Sequence, residues 1–182
     1  DQLITFDLPT HGDRQDDKAF TAMAANPEVR AFAQLARSQS TEVGLLASSI
    51  GAYFSLCDTP AGTFERAWLV SPLIDLEYYI RDVMAEYSVT DEQLEVETVI
   101  DTPRAVLEWP YLRFVEDHPA RLGIPSWIIR GDQDEMVPLD ALSRFVSAPG
   151  VELVQIEGGQ HFLGQPPHLG TVVAWFEERY PA

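Results

Sequence analysis

One serine of this chain stands where a nucleophile could be presented to solvent. Val43–Ala47 is a short apolar run typical of a buried strand, and the residues after Ile50 have helical spacing. Between them, Ala47-Ser48-Ser49-Ile50-Gly51 predicts a sharp strand-to-helix turn with Ser49 at its apex; we call residues 47–51 the elbow. Small residues on both sides suit a turn in which two backbones approach closely. The pentapeptide is common by chance, so the assignment depends on the rest of the chain.

A serine hydroxyl becomes a good nucleophile only when a base takes its proton and a carboxylate orients that base. His161 lies in the glycine-rich loop Glu157–Phe162, directly after a predicted strand. His11 precedes the elbow, and His118 and His168 stand beside prolines at positions that look solvated. His161 is therefore the predicted base. The competing interpretation is a turn histidine with no catalytic task.

The candidate carboxylates lie in Gly131–Pro138, an acidic loop that also follows a predicted strand. We expect Asp134 rather than Asp132 to orient the base, because the later position lies further from the strand tip and can reach the next loop. The interval between Asp134 and His161 has room for one helix and one strand. Both residues should then lie on adjacent loops at the same edge of a sheet. An acidic surface loop without a catalytic role is the alternative.

Predicted strands alternate with predicted helices along most of the chain. Asp16-Asp17 could cap a helix that begins at Lys18, which Pro27 would restart. Continuous apolar strands between helices predict an α/β fold with a mostly parallel sheet flanked by helices. The five strands expected are Gln2–Asp7, Val43–Ala47, Arg66–Ser71, Pro125–Arg130 and Val151–Ile156.

The alternation is interrupted between residues 73 and 121. Ile74–Tyr87 is amphipathic, Thr90–Gln93 resembles a helix start with a capping box, and Pro103–Asp117 could be a third helix. The stretch carries no convincing strand. We therefore expect residues 1–182 to form a single domain with a helical insertion at about 73–121.

Composition limits the classes of function. The chain has 182 residues, 46% of them apolar, and a formal net charge of −17. This charge disfavours nucleic acid as a partner, because nucleic acids are bound by basic patches. The sequence contains no run of 18 apolar residues, so no membrane span is predicted. Cys57 is the single cysteine and reads as a small buried hydrophobic residue, which mildly favours a reducing, cytoplasmic location.

These segments, in this order, resemble the α/β-hydrolase superfamily. Phe6–Asp13 is similar to the segment after the family's fourth strand, and Ala47–Gly51 is similar to its nucleophile elbow, with alanine in place of the first glycine. Gly131–Pro138 resembles its acid loop and Gly159–Phe162 its histidine loop. The insertion at 73–121 falls where the family carries a cap.

The resemblance implies a serine hydrolase, most simply a carboxylester hydrolase for small or medium apolar acyl groups. Ser49 would attack the carbonyl, His161 would move the proton, Asp134 would orient the imidazole, and the Ile50 N–H would be one oxyanion donor. No metal or cofactor is implied. A small-molecule acyl ester is the expected partner, and an oligomer is compatible with the sequence. A thioesterase, lactonase, peptidase or acyltransferase of the same fold and a non-catalytic binding or scaffold protein are the alternatives.

The insertion is rich in aromatic residues that could line an acyl pocket or simply pack the insertion onto the core. They are Tyr78, Tyr79, Trp109, Tyr111 and Phe114.

The family begins with three further strands, and the first strand predicted here already resembles its fourth. We therefore expect an incomplete sheet in which Gln2–Asp7 pairs directly with Val43–Ala47 or another polypeptide fills the gap. On this expectation the 182 residues alone are weakly active or inactive, and a form with upstream residues is active.

Overall fold

Four parallel strands form the sheet that positions the elbow and both predicted loops. The computed structural model describes residues 2–15 and 20–180. The strands of the described residues are β1 (Gly44–Ser48), β2 (Arg66–Val70), β3 (Val99–Asp101), β4 (Val106–Glu108), β5 (Ser126–Gly131) and β6 (Val151–Ile156). The parallel sheet has the order β1-β2-β5-β6, and β3 pairs with β4 as an antiparallel hairpin. The predicted fold class is therefore confirmed.

The predicted strand at Gln2–Asp7 is wrong. This segment has no strand structure, and Leu3 is 77% exposed. Its apolar content is explained by docking: the Phe6 ring stacks on Phe32 with centroids 4.0 Å apart. A β-branched and aromatic run becomes a strand only when a neighbouring strand pairs with it. Within the described residues, β1 pairs with β2 alone.

Helices cover both faces of the sheet, as predicted from its continuous apolar strands. The helices of the described residues are α1 (Ala22–Gln39), α2 (Ile50–Leu56), α3 (Leu76–Glu86), α4 (Asp91–Glu97), α5 (Trp109–Asp117), α6 (Leu139–Val146) and α7 (Leu169–Arg179). One core cluster includes Leu45, Phe54 and Ile128, and a second includes Ile129 and Trp175. Successive residues of β5 therefore point to opposite faces of the sheet.

The first helix differs from its prediction. Thr21 caps α1, where its Oγ1 accepts the Ala24 N–H at 3.3 Å. Pro27 lies inside this helix and does not restart it. The predicted cap at Asp16-Asp17 lies outside the described residues. In the described ranges, no helix is both long and apolar enough to cross a membrane.

The insertion between β2 and β5 holds three helices and the β3–β4 hairpin. The expectation of a stretch without strands is wrong, because each hairpin strand has only three residues and is too short to show an alternating pattern. The capping box at Thr90 and Gln93 is present. Arg81 forms ion pairs with Asp91 and Glu116, which joins α3 to α4 and α5.

The insertion is anchored to the elbow helix and to α1. Tyr53 of α2 donates its hydroxyl to the His118 carbonyl at 2.9 Å. The Ala22 N–H donates to the Tyr111 hydroxyl at 3.2 Å. Apolar residues of the insertion also share the core cluster that contains Tyr53. The insertion is therefore packed against the elements that position Ser49.

Candidate active site

The elbow forms the strained turn that its sequence predicts. Ser49 lies between β1 and α2 with φ 51° and ψ −132°, a conformation that is costly for a residue other than glycine. Backbone hydrogen bonds hold it there. Its N–H donates to the Val70 carbonyl at 3.0 Å, and its carbonyl accepts the N–H groups of Ala52 and Leu73 at 3.1 and 3.0 Å. The apex is thus fixed by the neighbouring strand and by the start of the insertion.

The steric reason given for Gly51 is wrong. A Cβ added to Gly51 would meet no atom of the described structure within 4 Å. The serine beside the apex, Ser48, is exposed.

Ser49, His161 and Asp134 are brought together. The Oγ of Ser49 lies 2.7 Å from Nε2 of His161, and Nδ1 of His161 lies 3.0 Å from Oδ2 of Asp134. When the imidazole carries its proton on Nδ1, it donates to the carboxylate and Nε2 accepts the serine hydroxyl. In this arrangement the imidazole can take the hydroxyl proton, and the carboxylate can balance the charge that results.

Asp134 is held by its own loop. Its side chain is fully buried, and Oδ1 accepts the N–H groups of Met136 at 3.1 Å and Val137 at 2.9 Å. A buried carboxylate needs such donors because water does not reach it. These contacts aim the carboxylate at His161.

The acid loop and the histidine loop touch through their backbones. The N–H of Asp132 donates to the Ile156 carbonyl at 3.0 Å, and that of Gln133 to the Gly159 carbonyl at 2.9 Å. Asp132 Oδ1 accepts the Gly158 N–H at 2.8 Å. Asp132 therefore joins the two loops, whereas Asp134 contacts the histidine.

Gly131 and Gly159 permit this close approach. A Cβ on Gly131 would lie 2.0 Å from the Gly159 carbonyl oxygen. Both glycines lie in the predicted loops, but their contact is not predictable from sequence, since nothing local in either loop indicates which backbone it will meet.

The other histidines have different surroundings. The His11 ring packs on Phe20 with centroids 4.3 Å apart. His118 is not simply solvated: it stacks on Phe114 at 4.1 Å, and its Nδ1 donates to the Phe114 carbonyl. His168 precedes α7.

The aromatic residues predicted to line a pocket make their ring contacts within the insertion. The Arg104 guanidinium lies 4.9 Å from the Tyr79 ring centroid, and that of Arg113 lies 5.5 Å from the Trp109 ring centroid. Tyr78 is 39% exposed. Their role in binding an acyl group stays a prediction.

Buried polar groups lie between the elbow helix and the insertion. Burial raises the pKa of Cys57, and it also raises the pKa of Tyr53 and of Tyr111. All three groups therefore stay protonated at neutral pH. Within the described residues, no group of three or more His, Cys, Asp or Glu side chains is arranged to hold a metal ion.

No protein-family model and no curated protein matches the sequence. Solved structures do match. Mouse alpha/beta hydrolase domain-containing protein 10 superposes with a TM-score of 0.72 at 14% identity, over 94% of this chain and 74% of that one. Est1E from Butyrivibrio proteoclasticus, with ferulic acid bound, superposes with a TM-score of 0.70 at 21% identity, over 94% of this chain and 73% of that one.

A third match is the Pyrococcus furiosus esterase PF2001, with a TM-score of 0.59 at 18% identity over 97% of this chain and 69% of that one. At such identities the likeness establishes the fold alone. The chain has the α/β-hydrolase fold, as the sequence resemblance predicted.

Proposed function

We propose that this chain is a serine hydrolase and that its substrates are carboxylic esters with small or medium apolar acyl groups. The observation that carries the proposal is the continuous hydrogen-bonded series from Ser49 through His161 to Asp134, with distances of 2.7 and 3.0 Å. Each member comes from a different loop at the carboxyl ends of β1, β6 and β5. An arrangement this specific is hard to explain by packing alone.

In the proposed reaction Ser49 attacks the ester carbonyl while His161 takes its proton through Nε2. His161 then returns this proton to the leaving alcohol, and an acyl-enzyme remains on Ser49. A water molecule, deprotonated by the same imidazole, then attacks the acyl carbonyl. The bond to Ser49 Oγ breaks, the imidazole returns its proton to this oxygen, and the acid is released. Asp134 holds the imidazole in one tautomer and stabilises its charged form throughout.

The tetrahedral intermediate needs a donor for its negative oxygen. The Ile50 N–H begins α2, and the first N–H groups of a helix have no partner within the helix. We assign Ile50 as one oxyanion donor. Losing a single donor of this kind costs roughly 10²–10³ in kcat, so the Ile50 N–H is a substantial part of the proposed mechanism.

The choice of an ester is supported by the matched Pyrococcus furiosus structure, PF2001, whose name describes an esterase. Tyr78, Tyr79 and Trp109 of the insertion are the proposed acyl-binding residues. A cytoplasmic location is part of the proposal only because Cys57 is the single cysteine.

The test is hydrolysis of p-nitrophenyl acetate, butyrate and decanoate by the wild-type chain and by Ser49→Ala. We expect weak but measurable turnover that falls to background in Ser49→Ala, with the circular dichroism spectrum unchanged. Equal rates in the two proteins would show that Ser49 does not carry the reaction. A thioesterase or lactonase would appear as a higher kcat/KM for thioesters or lactones, again lost in Ser49→Ala.

A further inference from the structure

A buried guanidinium lies beside the loop that carries Asp134. Arg130 is the next-to-last residue of β5, and only 3% of it is exposed. Strand alternation puts its side chain on the same sheet face as Ile128. The proposed hydrolysis assigns no task to this arginine. Burying a cation is costly unless it is well hydrogen-bonded, so its contacts are informative.

Arg130 donates to neutral oxygens and forms no ion pair with a carboxylate of the described residues. Nη1 donates to Oε1 of Gln155, its register partner in β6, at 2.9 Å. Nη2 donates to the backbone carbonyls of Asp134 at 3.1 Å and Val137 at 3.0 Å. Nε is buried without a hydrogen-bond partner in the described structure. The guanidinium is therefore engaged mainly with the acid loop.

The two carbonyls belong to the two ends of one turn. The Asp134 carboxylate closes this turn as well, because Oδ1 accepts the Val137 N–H at 2.9 Å. Arg130 and the carboxylate thus hold the same four residues through different atoms. Without Arg130, the backbone carbonyl of Asp134 would lose its hydrogen-bond donor. Asp134 is also the residue whose carboxylate faces His161.

We propose that Arg130 is a positioning residue for the Asp134–His161 pair. Its guanidinium fixes the turn from Asp134 to Val137, and the fixed turn keeps the carboxylate at hydrogen-bond distance from Nδ1 of His161. The inference rests on the proposed function, in which that pair activates Ser49. A planar guanidinium suits this task because it reaches several acceptors at once in a fixed geometry.

A purely structural role makes a different prediction. If Arg130 only joined β5 to β6, its loss would lower the melting temperature and would affect kcat equally whether or not residue 134 is an aspartate. The two roles are distinguished by whether the effect of an Arg130 substitution on kcat depends on the residue at position 134.

The experiment is a double-mutant cycle on p-nitrophenyl acetate hydrolysis, measured well below the melting temperature of every variant. Arg130→Met should lower kcat by about 10²-fold with KM unchanged, since a shift of about 1 Å in a catalytic group costs roughly that much. In the Asp134→Asn background the same substitution should change kcat by less than about twofold, because the contact it supports is already lost.

Gln155→Leu is the matched control. It removes the Nη1 contact but leaves both loop contacts, and kcat should stay within about twofold of wild type. Arg130→Lys, which keeps the charge but not the planar fork, should lower kcat and should show the same coupling to Asp134. If Arg130→Met does not fold, the cycle of Arg130→Lys with Asp134→Asn tests the positioning role instead.

Equal losses in both backgrounds, or no loss in either, would overturn the positioning role. A wild-type chain that is active, loses activity in Asp134→Asn and is insensitive to both Arg130 variants would refute this inference alone. A wild-type chain that hydrolyses no ester and reacts with no fluorophosphonate would refute the proposed function, and the inference with it.

Discussion

Replacing Gly131 with alanine puts a methyl group where the acid loop meets the histidine loop. The new Cβ would lie 2.0 Å from the Gly159 carbonyl oxygen and 2.7 Å from that of Gln160. Ordinary contact begins at 3.4 Å, so the two loops must separate by about 1.4 Å. Both obstacles are backbone atoms, and a side-chain rotation cannot relieve them.

The separation acts on the pair of residues carried by these loops. Asp134 lies three positions after Gly131, and His161 lies two positions after Gly159. A displacement of this size would lengthen the 3.0 Å contact between Nδ1 and Oδ2 beyond hydrogen-bond range. We expect Gly131→Ala to lower kcat for p-nitrophenyl acetate by about 10²-fold, the usual consequence of misplacing a catalytic group by about 1 Å.

The strain should also lower the free energy of unfolding. Overpacking costs about 1–3 kcal/mol, and for a chain of this size each kcal/mol lowers the melting temperature by about 2–4 °C. Kinetics measured below the lowered melting temperature separate the two effects. Gly164→Ala, just after the histidine loop, is the matched control, because a Cβ there meets no described atom within 4 Å. A Gly131→Ala protein with wild-type kcat and an unchanged melting temperature would show that the backbones of the two loops do not meet at Gly131.

Three further predictions concern the acid, the thiol and the insertion. Asp134→Asn should lower kcat by roughly 10³–10⁴ and Asp132→Asn much less, because only Asp134 contacts the imidazole; a larger loss at Asp132 would contradict the assignment. Because burial raises the pKa of the Cys57 thiol, we expect this thiol to resist a reagent such as DTNB at neutral pH until urea unfolds the chain. The free energy of unfolding should fall as the pH rises above about 8.5, where the thiol of the unfolded chain ionises. Rapid labelling of the native protein would contradict this prediction. Tyr79→Ala and Trp109→Ala should change the preference among acetate, butyrate and decanoate esters more than kcat on acetate, and an unchanged preference would contradict a role in acyl binding.

The three residues that the structure brings together could be predicted from sequence because each follows a readable strand. Apolar runs before Ser49, Asp134 and His161 predict parallel strands, and the carboxyl ends of parallel strands meet at one edge of a sheet. The choice between Asp132 and Asp134 followed from reach alone. That reasoning uses only local pattern and chain order, both of which a sequence contains.

The errors concern non-local partners. Gln2–Asp7 has a strand-like composition, but strand formation depends on a neighbour that composition does not specify. The β3–β4 hairpin is too short to leave a periodic pattern. Arg130 was included in a predicted strand without a role, because a charged residue at the end of a strand is usually exposed and its burial depends on non-local partners.

The proposed function requires Ser49 to be an activated nucleophile, and reaction with a fluorophosphonate is the direct test of that activation. Labelling is better suited than turnover because it needs only the activated hydroxyl. We expect one adduct by intact mass, located on Ser49 by peptide mapping, retained in Ser48→Ala and absent from Ser49→Ala. The absence of an adduct on the folded wild-type chain, or an adduct on any other serine, would contradict it.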